Sequence, residues 1–208
     1  MGDTERAEAT DALQIEASLT RPDAFAALFD RHSGHLHRYI SKRVGRRDVE
    51  DLVGETFAVA FRSRRTYDLT RPDARPWLFG IATNLVRHHW RSEGRRLRRE
   101  GTAMPIVEDY ENPSEEAVSN VFFRAHAEPI ARALGQLDDV YLDVLLLVAG
   151  PGFSYEEVSV ALGIPVGTVR SRLSRARRQL RELLGASGQY LDEESPAEAP
   201  SNSTEGPP

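Results

Sequence analysis

The sequence predicts an all-α protein of two small helical domains joined by a flexible linker, and three observations carry that prediction. Apolar residues recur at helical spacing through three successive segments between residues 23 and 85, the mark of amphipathic helices. From Glu100 to about Ser119 this periodicity fades into Gly, Pro and acidic residues, the composition of a linker. A second periodic stretch then ends in a short helix, a glycine turn and a longer basic helix between Phe153 and Leu184. No strand-like alternation or internal repeat is apparent, and 208 residues suffice for two small cores.

Residues 1–20 form an acidic, polar segment to which no element is assigned. The first predicted helix covers about Asp23 to Val44, with Phe25, Leu28, Phe29, His32, Leu36, Ile40 and Val44 on one face. The second starts at Asp48, a good N-cap, and keeps Val49, Leu52, Val53, Thr56, Phe57, Ala60 and Phe61 in phase over three turns. Asp, Thr and Pro make Tyr67–Pro72 a loop, and a third helix begins near Asp73, with Pro76 tolerated in its first turn. It carries Trp77, Leu78, Ile81, Ala82 and Leu85, so residues 21–100 form a three- or four-helix bundle.

The linker occupies 101–121 and the second domain 122–184. A helical set runs from Phe122 through Leu134, Leu137, Val140, Tyr141, Val144, Leu145 and Val148 and stops at Gly150-Pro151-Gly152. Ser154 with Glu157 is a capping box, opening a short helix that buries Tyr155, Val158, Ala161 and Leu162. Gly163 supplies a tight turn, Ile164 plugs the corner, and Pro165 helps start a helix burying Val166, Val169, Leu173, Ala176, Leu180 and Leu183. The tail 185–208 has almost no apolar residues and is predicted to be disordered.

Composition narrows the function. There is no cysteine, which excludes disulfides, thiolate metal sites and cysteine nucleophiles. No apolar run is long enough to span a membrane and the amino terminus is unlike a secretory signal, so a soluble cytoplasmic protein without membrane insertion is expected. The net charge of -5 hides a segregation of sign. Eight Arg face three acids between Arg71 and Glu100, and six Arg face one Glu between Val166 and Leu184. The segments 101–120 and 185–208 each hold five acids and no base. Two separated basic faces suit a protein that touches a polyanion at two places; solvated helix faces are the plainer reading.

The helix-turn-helix layout sharpens the polyanion to DNA. Its second helix presents Thr168, Arg170, Ser171, Arg172, Ser174, Arg175 and Arg178 outward, and forked guanidiniums with short hydroxyls suit base edges and phosphates in the major groove. The runs Ser154–Val158, Leu162–Leu173 and Ser174–Arg177 resemble region 4 of the sigma-70 family, especially its extracytoplasmic-function group. The resemblance implies that this region reads the promoter minus-35 element, through those seven residues, and contacts the flap of the polymerase beta subunit.

The same family accounts for the first domain. Asp48-Val49-Glu50-Asp51-Leu52-Val53 with Thr56-Phe57 resembles region 2.2, which docks on the beta-prime clamp helices, and implies polymerase contacts at Asp48, Glu50, Asp51, Leu52, Glu55 and Phe57. Trp77–Asn84 with Arg87 and Arg91 resembles regions 2.3 and 2.4, which capture the minus-10 element. The implied contacts there are Tyr67, Trp77, Asn84, Arg87, Arg91, Arg95 and Arg96. Arginines beside aromatics suit a separated strand, although helical spacing favours a core position for Trp77. The sequence departs from the family at Gly54, where Gln is common, and at His88, where Asp is frequent.

The resemblance implies core RNA polymerase and promoter DNA as partners, allows an anti-sigma factor, and calls for no cofactor and no catalytic residue. A metal-dependent hydrolase built on His32, His35 and His37 is disfavoured because position 37 leaves the face shared by 32 and 35. A simple helix-turn-helix regulator leaves the region 2 resemblance unexplained, and a protein-binding adaptor is a third reading.

Overall fold

The computed structural model describes residues 10–44, 46–100 and 129–185, with side chains at all of these except 46 and 93–100. The predicted linker 101–121, the start of the second domain at Phe122 and the tail beyond Gly185 lie outside the described residues. The described elements are helical throughout.

A helix precedes the first predicted one: α1, Asp11–Ser18, is capped by Thr10, whose hydroxyl accepts the Leu13 N–H at 3.4 Å. It buries Ala12 and Ile15. Pro22–Phe25 then forms a 3-10 turn, and α2 runs Ala26–Ser41. The helix α3 spans Arg46–Ser63 and thus begins two residues before Asp48. Asp48 is not its N-cap, but its carboxylate lies in the first turn, where unsatisfied N–H groups favour negative charge.

After a 3-10 turn at Arg64–Thr66 and the predicted loop, α4 covers Arg75–Glu100. Asp73 Oδ1 accepts the Arg75 N–H at 2.8 Å, and Pro76 sits in the first turn, where its missing donor costs nothing. In the second domain α5 (129–135) and α6 (Asp139–Ala149) are separated by a break at 136–138, where one continuous set was expected. Leu137 is buried inside that break and holds it against the core.

The helix α7, Tyr155–Leu162, shows the capping box: Ser154 Oγ accepts the Glu157 N–H at 3.2 Å, and the Ser154 N–H donates to Glu157 Oε2 at 2.8 Å. Gly163, at φ 63°, makes the left-handed turn into α8, Val166–Gly185. Ser159 Oγ donates to the Ile164 carbonyl at 2.5 Å and pins the corner.

The two domains share one continuous core. Leu28, Leu36, Ile40, Val49, Leu78 and Ala82 fill the first domain, while Val144, Leu147, Val158, Val169 and Leu173 fill the second. Phe79 of α4 meets Phe153 edge-on at 5.2 Å between ring centres. Beside them α4 and α7 approach so closely that a Cβ on Gly80 would lie 2.3 Å from the Ala161 carbonyl oxygen.

Candidate nucleic-acid interface

Helix α8 sorts its residues sharply. Val169, Leu173 and Ala176, at i, i+4 and i+7, are fully buried. Arg170, Ser171, Ser174, Arg175 and Arg178 stand exposed on the other side, with Thr168 and Arg172 half-buried at its edge. Ser171, Ser174, Arg175 and Arg178 form one stripe by their spacing. Ser171 Oγ donates back to the Thr168 carbonyl at 3.1 Å, and Arg178 lies 3.8 Å from Glu182. The stripe is thus available to a partner along most of its length.

The region 2 candidates are placed less uniformly. Tyr67 is buried, its hydroxyl donating to the Arg71 carbonyl at 2.7 Å, and its ring meets that of half-buried Trp77 at a tilt of 53°, 5.0 Å between ring centres. Burial, reinforced by Asp11 and Asp73 nearby, pushes the Tyr67 phenol up to about 12. These two aromatics fasten the 67–74 loop to α4. The residues of that loop from Asp68 to Pro72 are all exposed, and none of them was named individually from sequence. Asp68 organises the tip, accepting the Thr70 N–H at 3.1 Å and its hydroxyl at 2.7 Å. The Asp-x-Thr spacing was the available signal.

On α4, Asn84 and Arg91 are exposed, while the side chains of Arg95 and Arg96 lie outside the described residues. Arg87 is drawn to the other domain: its guanidinium pairs with Asp143 of α6. Asp143 is fully buried and also lies 2.5 Å from Arg43 Nη1. Arg43, in the turn after α2, is itself buried, donates to the Tyr39 hydroxyl at 3.1 Å, and its carbonyl accepts the Trp90 indole N–H at 2.9 Å. Burial pushes the Asp143 carboxyl up, and the two guanidiniums pull against that rise. Neither Arg43 nor Asp143 was selected from sequence.

On α3, Asp48, Asp51, Leu52 and Glu55 fall on one face by spacing. Asp51 and Glu55 are exposed, Glu55 lying 3.2 Å from Arg62, and Asp48 and Leu52 are half-buried. Glu50 turns towards His37, at 3.3 Å. Phe57 is buried against Phe29, at 4.9 Å between ring centres, so it supports this face from beneath. Gly54 is exposed with open space around it. His88 is exposed and His89 lies 3.6 Å from Asp48. His32 is buried on Asp11 at 2.8 Å while His37 faces Glu50, and among the described residues no cluster suits a metal ion. No described helix is long and apolar enough to cross a membrane.

Residues 28–96 match the family described as Sigma-70 region 2, and residues 127–180 match Sigma-70, region 4. The chain is 36% identical over 162 residues to the ECF RNA polymerase sigma factor SigE of Mycolicibacterium smegmatis, covering 76% of this chain and 60% of that protein's length. It is 34% identical over 171 residues to the RNA polymerase sigma factor CarQ of Myxococcus xanthus, covering 78% of this chain and 90% of that protein. The solved structure of CnrH in complex with the cytosolic domain of CnrY superposes with a TM-score of 0.61 at 27% identity, covering 86% of this chain and 99% of CnrH. With both regions matched in order, and with CarQ covered over 90% of its length while this chain spans 60% of SigE, the chain belongs to the sigma-70 family, in its extracytoplasmic-function group.

Proposed function

We propose that this chain binds core RNA polymerase and directs promoter-specific transcription initiation, and that it does so in the cytoplasm without catalytic chemistry of its own. The observation that carries this reading is the stripe on α8, where hydroxyls and guanidiniums at one-face spacing stand exposed over a buried apolar backing. Thr168, Arg170, Ser171, Arg172, Ser174, Arg175 and Arg178 read the minus-35 element in the major groove, guanidiniums pairing with base edges and phosphates. Asn84, Arg87, Arg91, Arg95 and Arg96 hold the minus-10 strand, with the 67–74 loop shaped by Tyr67 and Trp77 from below. The acidic face of α3, with Asp48, Asp51, Leu52 and Glu55, docks on the polymerase clamp helices; Glu50 flanks it and Phe57 backs it.

The working units are residues 21–100, on whose core α1 packs through Ala12 and Ile15, and 122–184, joined by 101–121. CnrH is seen in complex with the cytosolic domain of CnrY, and binding of a protein partner of the anti-sigma kind is part of this proposal. Run-off transcription with core polymerase and the promoter region upstream of this protein's own gene tests the function. A discrete transcript that needs the purified chain and disappears with Arg175→Ala is expected. Failure to bind polymerase, with duplex DNA binding retained, overturns the reading in favour of a simple regulator.

A further inference from the structure

Among the described residues packed on the first core, Asp11 carries the only buried carboxylate. A charge is costly to bury unless donors converge on it, and three do. Arg31 and His32 of α2 supply two, His32 through Nε2 at 2.8 Å, and the third is the Ala74 N–H, also at 2.8 Å. The Ala74 donor differs in kind from the other two. It belongs to the residue that closes the 67–74 loop and opens α4, where the Ala74 carbonyl accepts the Leu78 N–H at 2.9 Å. Ala74 is fully buried, so Asp11 provides the acceptor that a backbone N–H out of reach of water requires.

The tip of the loop makes its own shape. Asp68 accepts the N–H and the hydroxyl of Thr70, its carbonyl accepts the Arg71 N–H at 3.0 Å, and the Tyr67 hydroxyl donates to the Arg71 carbonyl. A turn closed by such local bonds keeps its form wherever its ends are put. Its placement over α4 is a separate matter, decided at the two ends. Tyr67 against Trp77 holds the entrance and Asp11 holds the exit, with the Asp73 carboxylate joining exit to helix through the Arg75 N–H. We infer that Asp11 is a positioning residue for minus-10 recognition: through the Ala74 N–H it sets where the exposed tip, residues 68–72, stands relative to Asn84 and Arg91 on α4. Recognition of a base fails when its contacts are loosely held, so α1 belongs to the promoter-reading unit without touching DNA. The inference rests on the proposed promoter-binding function.

Discrimination is the readout. Core polymerase carrying the full chain is bound to fork-junction fragments of the promoter, and its affinity for the unsubstituted minus-10 strand is divided by its affinity for strands with single base changes. Asp11→Leu fills the site without an acceptor and should cut that ratio about tenfold, much of what one wrong base ordinarily costs. Asp11→Asn loses the charge that Arg31 and His32 answer but keeps an oxygen for the Ala74 N–H. It should therefore lower the urea midpoint and yet leave the ratio within about twofold. A ratio unchanged by Asp11→Leu overturns the inference, because the tip then needs no tether. A ratio lowered equally by Asp11→Asn overturns it too, because Asp11 then supports only the fold. If circular dichroism shows Asp11→Leu to be unfolded, Asp11→Ala, which removes the acceptor without adding bulk, decides by the same ratio. Absence of discrimination with the unsubstituted chain sinks the promoter-reading function and the inference with it, whereas discrimination that survives loss of the acceptor sinks the inference alone.

Discussion

Asp11 shows how much one side chain can organise at the residue scale. It is buried on α1, accepts from Arg31 and from the Ala74 N–H at 2.8 Å, and pairs with His32 at 2.8 Å. It therefore ties α1 and α2 to the start of α4 and fixes the loop that carries Leu69 and Arg71. Burial pushes its carboxyl up, but the His32 and Ala74 hydrogen bonds, with the nearby charges, outweigh that and hold it at about 2. A carboxyl depressed in the folded state contributes stability above its ordinary value near 3.8 and loses it as pH falls towards 2. About 2 kcal/mol of stability should be lost across that window. In Asp11→Asn, urea titrations at pH 6 and pH 3 should differ by correspondingly less than in the unsubstituted chain; an equal difference would remove Asp11 as the cause. No sequence pattern marks Asp11, because Ala74, its backbone donor, lies 63 residues away.

At the scale of elements, α7 and α8 were legible because their signals are local. The capping box spans four residues, and its hydrogen bonds form as the spacing demands. Ser154→Ala should cost about 1 kcal/mol, read as a lower urea midpoint at unchanged slope. Gly163→Ala, forced into a left-handed φ of 63°, should cost about 1 kcal/mol as well. Gly54 predicts the opposite sign. It sits inside α3, exposed, with no atom near where a Cβ would go, so Gly54→Ala should raise stability by about 1 kcal/mol. A loss of stability there would mean that the exposed face is not as open as it stands. The two elements read less well are α1, which has only two turns, and the break between α5 and α6, marked in sequence by Gly135 without a following Pro, and both are fixed by burial of Ile15 and Leu137.

For the whole molecule the decisive feature is the seam between domains. Phe79 and Phe153, Gly80 and Ala161, and the Asp143 triad lie along α4, α6 and α7. Beside Phe79 lies an open cavity of about 330 Å3 lined by His35, Arg38, Tyr39, Arg75, Phe79 and Leu146 among others. Burial and the positive charge of Arg38, His32 and Arg75 push the His35 imidazole down. Since the apolar part of the seam joins two cores into one cluster, thermal unfolding of the full chain should be a single calorimetric transition. Phe153→Ala removes the ring that bridges them and should split it into two, the second domain melting first. A single transition that merely moves down would mean that the domains are coupled elsewhere.

What the sequence determined by itself is whatever rests on contacts a few residues apart: the helical class, the capping box and glycine turn of α7 and α8, the buried Val169–Leu173–Ala176 face and the exposed Arg–Ser stripe opposite it. Helical periodicity and capping act over three or four residues, so they can be read along the chain. Only the tertiary structure decided that Tyr67 points inward, that Arg87 is held and not free, and that Arg43 and Asp143 matter at all. Those outcomes depend on which helix lies across which. A buried charge gives no sign in sequence of the partner that neutralises it from 100 residues further along the chain.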